Sequence, residues 1–161
     1  RTFGRLQIIS SAWFALTHGA NDGQKTMGII VLILFSVGLI EELEMPLWVI
    51  FAAAAAMGLG TFFGGYKVIK TLGVKVTRLK PYQGFAAETS GGLMLAVFAT
   101  LGIPASTTHA ITGTIMGSGA ARRKRAVRWK VSRQIIFSWL ITIPGAAGLG
   151  IGFTYLIDLF V

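Results

Sequence analysis

Cysteine is absent from the 161 residues, which rules out disulfides, thiolate metal sites and cysteine nucleophiles and leaves the redox compartment unmarked. Charge is also scarce. Charged residues make up 13% of the chain, against about 25% in an average soluble domain, and only six of them are acidic. With two histidines and no cysteine, a zinc site has no ligand set. The start has no basic stretch followed by a short apolar run and a small-residue cleavage site, so no signal peptide is read there; a chain beginning on Arg1 leaves open that it is a piece of something longer.

What the chain does have is apolar bulk. It is 53% hydrophobic with a mean hydropathy of +0.69, and several apolar runs approach the roughly 20 residues a spanning helix needs. Repeated Gly and Ala suit close helix contact in lipid. The class is therefore a polytopic, all-α protein of the cell membrane.

The net charge of +9 would suggest nucleic acid in a soluble domain, but its placement follows membrane topology instead. Arg1 and Arg5 precede the first apolar run, Lys67, Lys70, Lys75, Arg78 and Lys80 follow the second, and seven basic residues from Arg122 to Arg133 precede the last. By the positive-inside rule these three segments are expected in the cytoplasm, with Glu41, Glu42, Glu44 and Asp158 outside; no nucleic-acid partner is expected.

Residues 6–40 should cross once, yet an unbroken helix of that length would measure about 50 Å against a hydrocarbon core of about 30 Å. Gly19, Asn21, Asp22 and Gly23 are poor helix formers at its middle, which predicts two helical pieces with a break or kink between them. Residues 47–66 return as a span whose Gly60-xxx-Gly64 pair signals close packing. Residues 67–81 read as a basic cytoplasmic linker without chemistry.

Residues 84–120 begin and end at basic clusters. Two full passes would each have only about 17 or 18 residues, the lower end of the spanning range. A re-entrant hairpin would put the tip, Gly102 to His109, at membrane depth, where irregular backbone must be buried in protein or line a wet cavity. The hairpin is favoured, because Pro104 would open a helix whose first turn, Ser106-Thr107-Thr108, offers free N–H groups and hydroxyl donors to an anion. Residues 135–157 form a last span, expected to bend at Pro144.

Three charged residues are left at membrane depth, Asp22, Lys25 and Glu88, together with His18 and His109. Such groups are costly there and are functional candidates by default. Asp22 and Lys25, at i and i+3, could equally form a structural ion pair, and the two histidines more often serve as hydrogen-bonded helix residues than as ligands. Gly19 to Thr26 imitates a phosphate loop, but Gln24 stands where that motif needs Gly and no strand precedes it. A Ser106, His109 and Asp22 hydrolase lacks a nucleophile-elbow setting. No enzyme is expected.

The stretches His18-Gly-Ala-Asn-Asp-Gly-Gln-Lys-Thr-Met-Gly28 and Gly102-Ile-Pro-Ala-Ser-Thr-Thr-His-Ala-Ile-Thr-Gly113 resemble the two signatures of the inorganic phosphate transporter (PiT) family, and Gln83-Gly-Phe-Ala-Ala-Glu-Thr89 is a third matching stretch. The resemblance covers nearly the whole chain. It implies cation-coupled phosphate symport by two inverted-topology repeats, of which this chain is similar to the C-terminal one. Each signature occurs once here, so residues 1–161 would be a single transmembrane domain needing the N-terminal-type repeat or a second copy.

On that resemblance phosphate would be bound by Asn21, Asp22, Ser106, Thr107 and Thr108. The coupling cation, Na⁺ or H⁺, would be handled by Asp22, Glu88 and Thr89, with Gln24 and Lys25 in support and no cofactor. The alternatives are a binding or regulatory half-transporter that moves no solute alone, and a channel-like anion pore.

Overall fold

A computed structural model describes residues 2–159. These form five α-helices with no strand among them: α1 (Thr2–Ser36), α2 (Leu47–Lys70), α3 (Pro81–Thr100), α4 (Thr107–Arg122) and α5 (Trp129–Asp158). A π-helical turn, Thr71–Val76, continues α2, and a short 3₁₀ turn, Lys124–Ala126, joins α4 to α5. Two elements are long and apolar enough to cross a membrane, α2 with its π turn (Leu47–Val76) and α5.

Glycine ends two helices by the same device. Gly38 and Gly102 take φ of 72° and 67°, a left-handed conformation that costs a residue with a Cβ. Leu39 N then donates to Leu34 O at 2.9 Å, and Ile103 N donates to Phe98 O at 2.9 Å, capping carbonyls that α1 and α3 would otherwise leave free. At the start of α3, Pro81 occupies the first turn, where its missing N–H is no loss, and Gln83 Oε1 accepts from Lys80 N.

Helices α1 and α3 run parallel, as their facing residues show. Gln7 lies against Gly84, Ser10 and Ser11 against Glu88, Trp13 against Gly92, and Asn21 against Leu95. The glycines let this happen: a Cβ on Gly92 would sit 2.6 Å from the Trp13 ring, and one on Gly91 would sit 3.1 Å from the Phe14 ring. Helix α4 returns antiparallel to α3, and buried Gln83 clamps the open end of this hairpin. Its Nε2 donates to Ser118 O at 3.1 Å, while Ser118 Oγ donates to Gln83 O at 3.0 Å.

The structure corrects three expectations. Helix α1 is continuous through Gly19 to Gly23, so the break is not there. Two glycines cost about 1 kcal/mol each in a helix, and Asn and Asp usually compete for the local backbone. Here Asn21 bonds to Thr17 O within α1 as well as to Leu95 O of α3, and Asp22 accepts from Thr107 of α4, bonds that form only on the helical path.

The segment after residue 66 is not a loose linker either. Leu72 and Val76, four residues apart, are buried with Ala87, Ile115 and Val127 in the core cluster, so the helical path continues because its apolar face has somewhere to go. Finally, α4 begins at Thr107 with Ser106 as its N-cap, its side chain accepting from His109 N, so Pro104 lies in the loop and does not open the helix.

Candidate functional site

The middle of α1 places His18, Asp22 and Lys25 at i, i+4 and i+7, on one face of the helix. That face meets the hairpin tip. Asp22 Oδ2 accepts from Thr107 Oγ1 at 2.8 Å and lies 3.2 Å from His18 Nε2, while Asp22 Oδ1 accepts from Lys25 Nζ at 3.4 Å. Lys25 Nζ also donates to the carbonyl of Ala105, the residue before the N-cap. One carboxylate and one ammonium thus join the centre of a long helix to the loop that starts another. A charge in such a place is tolerable because it is paired.

The supporting contacts explain the geometry. The Phe14 ring stacks on His18, with centroids 6.0 Å apart and planes within 10°, and Phe14 reaches that position because Gly91 leaves room for it. Asn21 is buried and gives both amide hydrogens to carbonyls, Thr17 O at 3.0 Å and Leu95 O at 3.2 Å, which fixes the rotation of α1 against α3. With that rotation set, Asp22 points at α4.

Four of the five expected phosphate-binding residues, Asp22, Ser106, Thr107 and Thr108, gather at the tip, and Asn21 sits one position away with its N–H groups already engaged. The hydroxyls of the first turn do not act together. Thr107 is buried toward Asp22, Ser106 is exposed and caps the helix, and Thr108 is exposed on a different face. Beside the tip a largely apolar recess of about 390 Å³ is lined by Met94, Phe98, Ile103, Pro104, Ser106 and His109, and the His109 ring lies 3.8 Å from that of Trp139 on α5.

Glu88 and Thr89 are not part of this cluster. Glu88 accepts from Ser10 Oγ at 2.5 Å and Ser11 Oγ at 2.9 Å, and Ser11 is roughly 17 Å along α1 from Asp22 at 1.5 Å per residue. Thr89 is half-buried next to it, and Gln24 is exposed on α1. Ser10 and Ser11 went unnoticed in the sequence because nothing local links them to a carboxylate 77 or 78 residues later. His18 as a partner of Asp22 was legible from its i, i+4 spacing.

Comparison with known proteins gives a consistent result. The family model described as "Phosphate transporter family" matches residues 1–150. A probable low-affinity inorganic phosphate transporter of Rhizobium meliloti (strain 1021) is 52% identical over 147 residues, covering 91% of this chain and 44% of the relative. One of the same name from Bacillus subtilis (strain 168) is 41% identical, covering 93% and 45%, and a putative phosphate permease of Pyrococcus furiosus is 34% identical, covering 91% and 36%. The chain therefore spans less than half the length of these curated relatives. No solved structure matches it.

Proposed function

Since the chain belongs to the phosphate transporter family, a family of membrane transporters and not of enzymes, we propose that it forms one half of a cation-coupled symporter that moves inorganic phosphate across the cell membrane. The observation that carries this reading is the Thr107–Asp22–Lys25–Ala105 joint between α1 and the hairpin tip. It sets a cation and hydroxyl donors, the groups that bind an oxyanion, beside a carboxylate that can accept a proton or a metal cation.

Phosphate would bind at the tip through Ser106 and Thr107 and the N-terminal end of α4, with Lys25 attracting it, whereas Thr108, exposed on a different face of α4, would turn away from it. Asn21 would donate to a phosphate oxygen by giving up its bond to Leu95 O. Asp22 would accept from protonated phosphate and share the coupling cation, Na⁺ or H⁺. Glu88 and Thr89, on α3 and far from Asp22, with Glu88 held by Ser10 and Ser11 of α1, would serve the cation path and not the phosphate pocket. Gln24 has only a supporting place.

The re-entrant reading of α3 and α4 draws support from α1. Beyond Asp22, where the tip touches it, α1 continues to Ser36, roughly another 21 Å at 1.5 Å per residue. If the apolar stretch beyond Asp22, residues 27–36, lies in the bilayer, the tip stops short of the far surface, and both α1 and α3 start from the side rich in Lys and Arg, which the positive-inside rule makes cytoplasmic. Membrane lipid would face α2 and α5.

Proteoliposome uptake of labelled phosphate, with Na⁺ and pH gradients imposed separately, tests the proposal. Uptake driven by one gradient when the other half of the transporter is supplied is the expected result; no uptake under either sinks it. The second reading is a binding or regulatory half-transporter that moves no solute. Phosphate binding without uptake, even with the other half supplied, would favour it over the symporter.

A further inference from the structure

The fold gathers at one end basic segments that lie far apart in the sequence. The π turn with Lys75, and Arg78 and Lys80 behind it, meet the end of α4 and the start of α5. Arg128 N donates to Val76 O at 2.8 Å, and a Cβ on Gly119 would sit 3.0 Å from Thr77 Oγ1 and 3.1 Å from Val127. Val76, Thr77 and Val127 are buried in that knot. The basic side chains around it are not buried. Lys75, Arg78 and Lys80, the run 122–125, and Arg128, Lys130 and Arg133 are all exposed.

No carboxylate comes with them. Among the described residues both salt bridges are at Asp22, and Glu88 on α3 accepts from Ser10 and Ser11. The other acidic residues lie in the loop after α1 and at the far end of α5. Like charges held on one frame repel one another, so a fold that gathers them draws countercharge from outside the chain.

Free salt supplies that countercharge to a loop in water, but this surface adjoins a bilayer. It carries the first turns of α5 and the π turn that ends α2, the two elements long and apolar enough to cross a membrane. Trp129 opens α5 at the same level, 47% exposed, with its Nε1 donating to Lys124 O at 2.9 Å, and Tyr82 is exposed at the start of α3. Exposed indole and phenol rings among basic residues at the end of a spanning helix suit the headgroup layer, where the ring meets the acyl boundary and the charge meets phosphate. Clusters of roughly four to eight Lys and Arg immediately cytoplasmic of a spanning helix read as anionic-lipid binding. The seven basic residues of 122–133 stand in that place before α5.

We infer that this end of the fold is a binding surface for anionic phospholipid headgroups of the cytoplasmic leaflet. The run 122–125, Lys130 and Arg133 are the charge partners, and Trp129 is the interfacial anchor. The inference needs α2 and α5 to span a bilayer, but not that the chain moves phosphate.

Spin-labelled lipid tests it. The protein is reconstituted with the partner half in phosphatidylcholine vesicles. A trace of phosphatidylglycerol or phosphatidylcholine labelled on its acyl chain then reports, by electron spin resonance, the fraction of that lipid immobilised at the protein. Phosphatidylglycerol is expected to be preferred about fivefold or more, the worth of one basic side chain near an anionic leaflet, with the preference falling in high salt. Arg122→Gln, Arg123→Gln, Lys124→Gln and Arg125→Gln combined should lower the preference. Lys130→Gln with Arg133→Gln, which leaves the 3₁₀ turn untouched, should lower it too and serves if the first variant does not fold. Glu41→Gln with Glu42→Gln should leave it unchanged. Equal immobilisation of the two lipids, or a preference that neither basic variant lowers, overturns the inference. Displacement of the labelled phosphatidylglycerol by inorganic phosphate beyond the effect of chloride at equal ionic strength, or by a short RNA at physiological salt, also overturns it, because the surface then belongs to a soluble anion. Phosphate uptake by the same vesicles separates the two readings: uptake without lipid preference removes only the lipid surface, and lipid preference without uptake removes only the transport proposal.

Discussion

From Leu140 to Asp158, α5 leaves every residue exposed, whereas α3 buries Gln83, Gly84, Ala87, Gly91, Gly92 and Leu95 against its neighbours. Both helices are apolar, but α5 satisfies the hydroxyls along its length, Ser138, Thr142 and Thr154, on its own backbone. Helices α1, α3 and α4 carry amides, hydroxyls and charges that must find one another. Apolarity and length pick out α5 and α2 as membrane-crossing helices, while α1, with its polar middle, fails the same criterion. The helix that matters most for chemistry is therefore the least typical membrane helix, because its polar groups are paired across helix contacts.

That contrast can be broken at Gly92, where a side chain has no room beside Trp13. Gly92→Leu should separate α1 from α3 and cost about 1–3 kcal/mol or more, seen as a large drop in detergent melting temperature and lost uptake. Asn21→Leu keeps the branching of the side chain but removes its bond to the Leu95 carbonyl, which retains its partner within α3. Its expected cost is about 0.5–1.5 kcal/mol, the net worth of one hydrogen bond, read by the same melts.

Thr107→Val acts on the joint itself and not on packing. Losing its bond to Asp22 should weaken apparent phosphate affinity about tenfold, equivalent to 1.4 kcal/mol, with little change in melting temperature. At the other end of the scale stands Gly150 on α5, where an added Cβ meets nothing within 4 Å. Gly150→Ala should leave uptake as it is and raise stability by up to about 1 kcal/mol, the difference in helix propensity between Gly and Ala. A large loss there would mean that α5 is packed as tightly as α3, against a surface supplied by another chain.

Much of this was legible before any coordinates. Composition and charge placement give an all-helical membrane protein, and the Gly-Ala-Asn-Asp and Ser-Thr-Thr stretches single out the two segments that the structure joins through Asp22 and Thr107. The continuity of α1 was not legible, because propensity penalises Gly19 and Gly23 locally while the compensation comes from Leu95 and Thr107, more than 70 residues away. Lys67 was misplaced for a related reason. A run of lysines suggests a solvated linker, and the apolar spacing of Leu72 and Val76 that keeps the segment helical and packed is shorter than a charge count can register. Pairings such as Ser10 and Ser11 with Glu88 depend on the parallel register of α1 and α3, which no local pattern encodes.

Asp22→Asn is the most direct test of the joint. It keeps the size of the side chain and removes the charge that meets Lys25, His18 and Thr107. In proteoliposomes containing both halves, with Na⁺ and pH gradients imposed one at a time, the variant is predicted to lose phosphate uptake under the gradient that drives the unsubstituted protein. Uptake at the unsubstituted rate, with the same dependence on that cation, would contradict a role for Asp22 in coupling cation to phosphate.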